Sequence, residues 1–184
     1  MPFDNLLDRY YSFFHDAHPC VLPKRYLLDR LEKDPLSFEA LVLVMRYIGS
    51  LFDPSTQSEL LEQEMLQALA PTLNHQVLLT GYHVQSLLLY IITLYGCNKI
   101  EKAAELMEKS IQIALGLGMQ LEEFAVQHGE GDPVLEESWR RTWWQLYIID
   151  SYITGGTRTF PAKTSYVEIT ALLPCEGDNY ESGF

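Results

Sequence analysis

The sequence predicts an all-α fold, an irregular bundle of about six helices with a non-helical C-terminal tail. Three observations carry this. Apolar residues recur at spacings of three and four in one segment after another. Proline, glycine and Asx residues stand between those segments at helix-length intervals, where helices start and stop. Strict apolar–polar alternation, the mark of a half-buried strand, is poor throughout.

Leu6 to His15 places Leu6, Leu7, Tyr10, Tyr11, Phe13 and Phe14 on a broad apolar face. It runs into His18-Pro19-Cys20-Val21-Leu22-Pro23, where two prolines impose an extended crossing. Leu27 to Leu31 is read as a short helix or turn. Asp34-Pro35 then caps a helix carrying Leu36, Ala40, Leu41, Val44, Ile48 and Leu51, which Asp53-Pro54 stops. Ser55 opens the next, with Leu60, Met65, Leu66 and Leu69, and Pro71 is expected to break it. Residues 84–95 are apolar nearly all round, as in a helix buried among others. After a turn at Asn98-Lys99, Ile100, Ala103, Ala104, Met107, Ile111, Ala114 and Leu115 form a further apolar face that Gly116 and Gly118 end. Gln127 to Pro133 reads as an acidic surface loop. Leu135 to Thr154 is the last strong helix, with Trp139, Trp143, Leu146, Tyr147 and Ile153 on its heavy side. Beyond a turn at Gly155-Gly156 irregular chain is expected, ending in a disordered tail over residues 175–184.

Length and composition set the frame. The 184 residues make one domain, 1–184, and the 47% of hydrophobic residues suffice for a core. Thirteen Lys and Arg against 25 Asp and Glu give a net charge of -12, a surface that repels phosphate and argues against nucleic-acid binding by this chain. The three cysteines, Cys20, Cys97 and Cys175, are too dispersed for a disulfide framework or a metal knuckle and are expected as reduced thiols. Met1 to Arg9, with Asp4 and Asp8, lacks the basic-then-apolar order of a secretory signal. The most apolar stretch, Leu87 to Tyr95, is far shorter than the ~20 residues of a membrane span. A soluble intracellular protein is the expectation.

Chemistry-bearing residues are few. His15, His18 and Cys20 lie close together, but a zinc site needs a fourth ligand and paired spacing, so they read as turn residues beside prolines and no metal is expected. Gly116-Leu117-Gly118 has no preceding strand and no third glycine, so it reads as a helix stop. Glu122-Glu123 and Glu136-Glu137 read as solvated charge rather than as an acid–base pair. The remaining concentration is Trp139-Arg140-Arg141-Thr142-Trp143-Trp144, with Asp150 on the same helix. Two arginines beside tryptophans do not make a phosphate track in so acidic a chain, and Trp139, Trp143 and Tyr147 share a core-facing side. Asp150 falls near that apolar side and needs a partner, because burying it unpaired is costly; Arg158 is the expected one. No catalytic residue and no cofactor site is expected.

With these segments in view, the chain resembles the fungal-specific transcription factor domain, the middle homology region of binuclear zinc-cluster regulators. The resemblance rests on Phe13-Phe14-His15 followed by His18-Pro19-Cys20, and on the run Ile113 to Met119. Most specific is Glu137 to Asp150, with its acidic residue, paired arginines, paired tryptophans and terminal aspartate. Residues 6–174 follow the family's order, most closely over 84–150. Where the family continues with a Gly-Arg-Pro turn, this chain reads Gly156-Thr157-Arg158-Thr159-Phe160-Pro161. Trp139, Arg140, Arg141, Trp143, Trp144, Asp150 and Arg158 are therefore expected as structural motif residues. The resemblance implies a nuclear regulatory domain that controls transcription without catalysis and without touching DNA. Its implied partners are a small-molecule effector and a second copy or a full-length zinc-cluster regulator. The six-cysteine cluster has no counterpart here, and the family domain is expected to be cut short after Pro174. Two rivals stand beside this reading. A tetratricopeptide-type scaffold fits Lys102 to Ala114 but needs a 34-residue period that does not recur. A small helical enzyme needs a cavity lined by His83, Tyr147 and Asp150.

Overall fold

The computed structural model describes residues 4–184; the first three residues of the Met1–Arg9 segment lie outside them. Among the described residues there are nine α-helices, three short 3-10 turns and no strand. The helices are α1 (Asn5–Phe13), α2 (Lys24–Lys33), α3 (Glu39–Ser50), α4 (Ser58–Leu73), α5 (Gly81–Gly96), α6 (Ile100–Leu117), α7 (Glu122–His128), α8 (Pro133–Thr157) and α9 (Gly177–Ser182). The all-α class stands. The number exceeds six because α7 and α9 have only seven and six residues, too few for a hydrophobic period to declare itself.

Burial on every side makes α5 the axis of the bundle: twelve of its sixteen residues are buried, and it packs against α3, α4, α6 and α8. It starts at a capping box in which the Thr80 side chain and His83 satisfy each other's backbone N–H groups. Gly81 lies flat against the Trp139 ring, where any Cβ would come within 2.6 Å of it. α6 ends as its sequence requires, on Gly118 in the left-handed conformation at φ 80°.

Local signals were overridden at four places. Pro71 does not break α4: it lies in the last turn, where the helix has only two more residues to run. Asp34 acts one turn ahead of α3: its carboxylate accepts from the Ser37 backbone N–H and hydroxyl, shaping the 3-10 turn Leu36–Phe38. α8 runs through Gly155-Gly156 and ends only at Arg158, which takes φ 57° and donates its N–H to the Thr154 carbonyl. The tail is ordered as well: α9 carries Tyr180 into the core, fully buried, with its hydroxyl donating to the Val21 carbonyl at 2.9 Å. Between α8 and α9 the chain is irregular, as expected, and crosses the body as a strap. Its Thr170 and Ala171 N–H groups donate to the Gln120 carbonyl at 3.0 Å each.

α1 and α3 approach so closely that a Cβ on Gly49 would collide with the Leu6 backbone carbonyl. Gly49→Ala is therefore expected to lower unfolding stability by about 1–3 kcal/mol in urea titration, the usual cost of overpacking against an unyielding group. Gly96, at the end of α5 with open space around it, is the control: Gly96→Ala should be neutral or stabilising by up to about 1 kcal/mol.

Candidate functional site

The residues singled out in the sequence converge on α8. The helix forms there because Asp132 caps it, accepting from the Val134 N–H at 2.9 Å, and Pro133 occupies its first turn. Its inner side is aromatic. Trp139 packs against Tyr82 and Phe124, with centroids 4.9 and 6.0 Å away, and donates its indole N–H to the His128 carbonyl at 2.9 Å. Trp143 is fully buried. Trp144 is only half-buried; it crosses Tyr147 edge-on and donates to the Leu172 carbonyl at 2.8 Å, pinning the strap.

Glu137 organises the polar side of the helix. The sequence reading assigned it to solvent, yet it is 1% exposed. Its Oε1 accepts from Arg141 Nε and from the Cys175 backbone N–H, and its Oε2 from Arg140 Nε, all at 2.9 Å. Arg141 turns onward: Nη2 donates to the Cys175 carbonyl at 2.7 Å, and the guanidinium lies 4.4 Å from the centre of the Tyr180 ring. One carboxylate thus joins both arginines of the motif to the strap and, through Tyr180, to the proline-bounded crossing. That crossing is held a second time. The Cys20 carbonyl accepts from Gln85 Nε2, Ser138 Oγ and Thr142 Oγ1 at 2.9–3.1 Å, tying α5, α8 and the crossing together.

Asp150 is buried, at 2% exposure, but its partner is not Arg158. Its Oδ2 accepts from the backbone N–H and the hydroxyl of Thr164, both at 2.8 Å, while Arg158 is exposed at the end of α8. Sequence proximity favoured Arg158; the strap folding back along α8 brings Thr164 in instead. The other candidates are dispersed. His15 Nε2 lies 3.2 Å from Glu181, His18 packs against Phe14, and the Cys20 thiol is driven up to about 12 by burial, so it is inert. His83, Tyr147 and Asp150 do not form the cavity the enzyme rival needs: His83 is held in the α5 cap and Asp150 by Thr164. A small cleft of about 110 Å³ behind Trp139 is below the size of ordinary ligand pockets. Sequence reasoning named Glu137 as the acidic residue of the motif but read it as solvated, and gave Cys175 and Tyr180 no role in the site. Only the i, i+3 and i, i+4 spacing of Glu137 to the two arginines could have pointed to its ion pairs.

Fold and node together define a helical domain organised on one long helix whose arginines are turned inward. The chain belongs to the fungal specific transcription factor domain family, whose model matches residues 3–183. That match runs past Pro174, where the sequence placed a cut, and includes α9. A C6 finger domain transcription factor, iacK of Pestalotiopsis fici, is 35% identical over 182 residues, covering 98% of this chain and 26% of that protein. The chain therefore spans about a quarter of that relative's length. No solved structure matches it.

Glu137→Gln leaves the buried Arg141 guanidinium uncompensated and is expected to cost about 3–5 kcal/mol by chemical denaturation. In the same assay Thr164→Val should cost about 1–3 kcal/mol by removing one of the two donors to buried Asp150, and Arg158→Ala should stay within about 0.5 kcal/mol of the parent. Burial lowers the pKa of His83, whose Nδ1 lies 3.1 Å from the Thr80 backbone nitrogen as its hydrogen-bond acceptor. The unfolded chain therefore binds the proton first, and stability should fall as pH drops below about 6.5, levelling off beneath the folded pKa. His83→Gln should flatten that slope; an unchanged slope would move the effect to His18, also lowered by burial.

Proposed function

We propose that this chain is a regulatory domain of a fungal zinc-cluster-type transcription factor, acting in the nucleus and controlling transcription without contacting DNA itself. The family match over residues 3–183 carries the reading. Electrostatics supports the absence of DNA contact. Seven of the thirteen Lys and Arg side chains (Arg9, Lys24, Arg30, Arg46, Arg140, Arg141 and Lys163) are engaged in ion pairs within the chain. What is left cannot form a continuous cationic track on a surface of net charge -12. A non-catalytic role agrees with the structural engagement of His83, Glu137 and Asp150. Among the described residues no helix is long and apolar enough to cross a membrane. The implied partners are a small-molecule effector and a second copy or a full-length zinc-cluster regulator.

The experiment is a tethering assay. Fused to a heterologous DNA-binding domain, the chain is expected to change reporter transcription several-fold, and Glu137→Gln to abolish the change by loosening the strap. The isolated chain should not retard duplex DNA in a gel at physiological salt. A tethered chain with no effect on the reporter, or direct salt-sensitive DNA binding, would overturn the proposal.

A further inference from the structure

A groove of about 1000 Å³ lies between α1, α2 and the α3 region. Its floor is aliphatic: Leu7 and Leu31 are buried, and Leu28, Val42 and Leu43 are half-buried. On α3 the positions facing it are Glu39, Val42, Leu43 and Arg46, an i, i+3, i+4, i+7 stripe with nothing packed over it among the described residues. Leu36 stands at the lip, 80% exposed.

The groove is held open by its frame. At its start α2 is fastened to α1 by the Asp8–Lys24 ion pair at 2.6 Å and by the Tyr11 hydroxyl on the Leu22 carbonyl at 2.8 Å. Further along, Leu27 is buried on the other side of α2, and Arg30 reaches away from the groove to Glu130 and Asp132, at 2.9 Å each. α2 is thereby fixed to the α7–α8 loop and cannot fold down onto α3. Apolar surface that cannot be covered by collapse is free to be covered by a partner.

Shape and charge identify the partner. From Leu36 to Arg46 the trough runs about 15 Å, three turns of helix, and each of its three walls carries an exposed rim residue: Asn5, Glu32 and Glu39. A drug-sized ligand is normally mostly enclosed, whereas an open trough of this length suits one face of a helix. Of the rim charges, Asp8 pairs with Lys24 and Asp4 with Arg46 at 3.3 Å. Glu32 and Glu39, both exposed and both near the α2–α3 apex, have no ion-pair partner among the described residues. We propose that this groove docks an amphipathic helix of a partner protein. It would present aliphatic side chains at i, i+4 and i+7 to the floor, and Lys or Arg at the end lying over Glu32 and Glu39. The proposal rests on the regulatory reading only in that a partner chain supplies the helix.

The test is methyl NMR of the full chain, titrated with an amphipathic Leu/Lys peptide of about 14 residues and with its Leu/Glu counterpart. The Leu/Lys peptide is expected to shift the methyl signals of Leu28, Val42 and Leu43, and Leu28→Asp to weaken it at least about tenfold. The double variant Glu32→Lys/Glu39→Lys, confined to exposed positions, should keep the fold and reverse the preference to the Leu/Glu peptide. Shifts outside the groove, or a preference that the double variant leaves unchanged, would reduce the binding to general attraction by an acidic surface and overturn the proposal. So would groove methyls that shift with protein concentration alone, which would put a second copy there. Nile red shifting the same methyls while the peptide does not would assign the groove to a small molecule instead. Because the reporter assay reads transcription and the titration reads the groove, either idea can fail without the other.

Discussion

A buried carboxylate must find cationic or hydrogen-bonding partners or give up its charge, and Glu137 meets that constraint by drawing three parts of the chain together. Arg140 and Arg141 come from its own helix, one turn on. The Cys175 N–H comes from the far end of the strap, and Arg141 extends the node to Tyr180. This one carboxylate, together with the Tyr180 hydroxyl on Val21 and the His15–Glu181 contact, holds the last ten residues and with them one cover of the Pro19–Pro23 crossing. Its neighbourhood is correspondingly dry: Tyr180 is held neutral well above the usual tyrosine range, with burial as the main cause.

The motif's arginines thereby acquire a meaning opposite to the one their composition suggests. Beside three tryptophans they look like groups for phosphate and base stacking. Turned onto Glu137, with Arg141 also on a backbone carbonyl and an aromatic face, they are fasteners. The tryptophans divide the labour in the same manner. Trp139 and Trp143 fill the space between α8 and its neighbours, and Trp144 fixes the strap through its indole N–H.

Much of the architecture was legible locally. The helical period of α3, α4, α5, α6 and α8, the Gly118 stop and the all-round apolarity of α5 are all properties of neighbouring residues, and each is present, although α4 and α8 run past the stops expected at Pro71 and Gly155-Gly156. α7 and α9 were not legible, since one or two turns carry too little pattern. The site was legible in part: Trp139, Arg140, Arg141, Trp143, Trp144 and Asp150 do gather on α8. Their partners were not. Thr164 is fourteen residues from Asp150 and Cys175 thirty-eight from Glu137, and no spacing rule reaches that far.

The sequence by itself determined the class of fold, the net charge of -12, and the helix on which the motif lies, because periodicity, charge and side-chain succession are local or summed quantities. Only the tertiary structure decided which charges are buried, which residue satisfies Asp150, and that the C-terminal segment is part of the core. Those outcomes depend on where an irregular strap passes over α8. That path is set by the Trp144 indole N–H donating to a strap carbonyl and by strap N–H groups donating to the Glu137 carboxylate and the Gln120 carbonyl; those backbone groups are ones the sequence does not distinguish from one residue to the next.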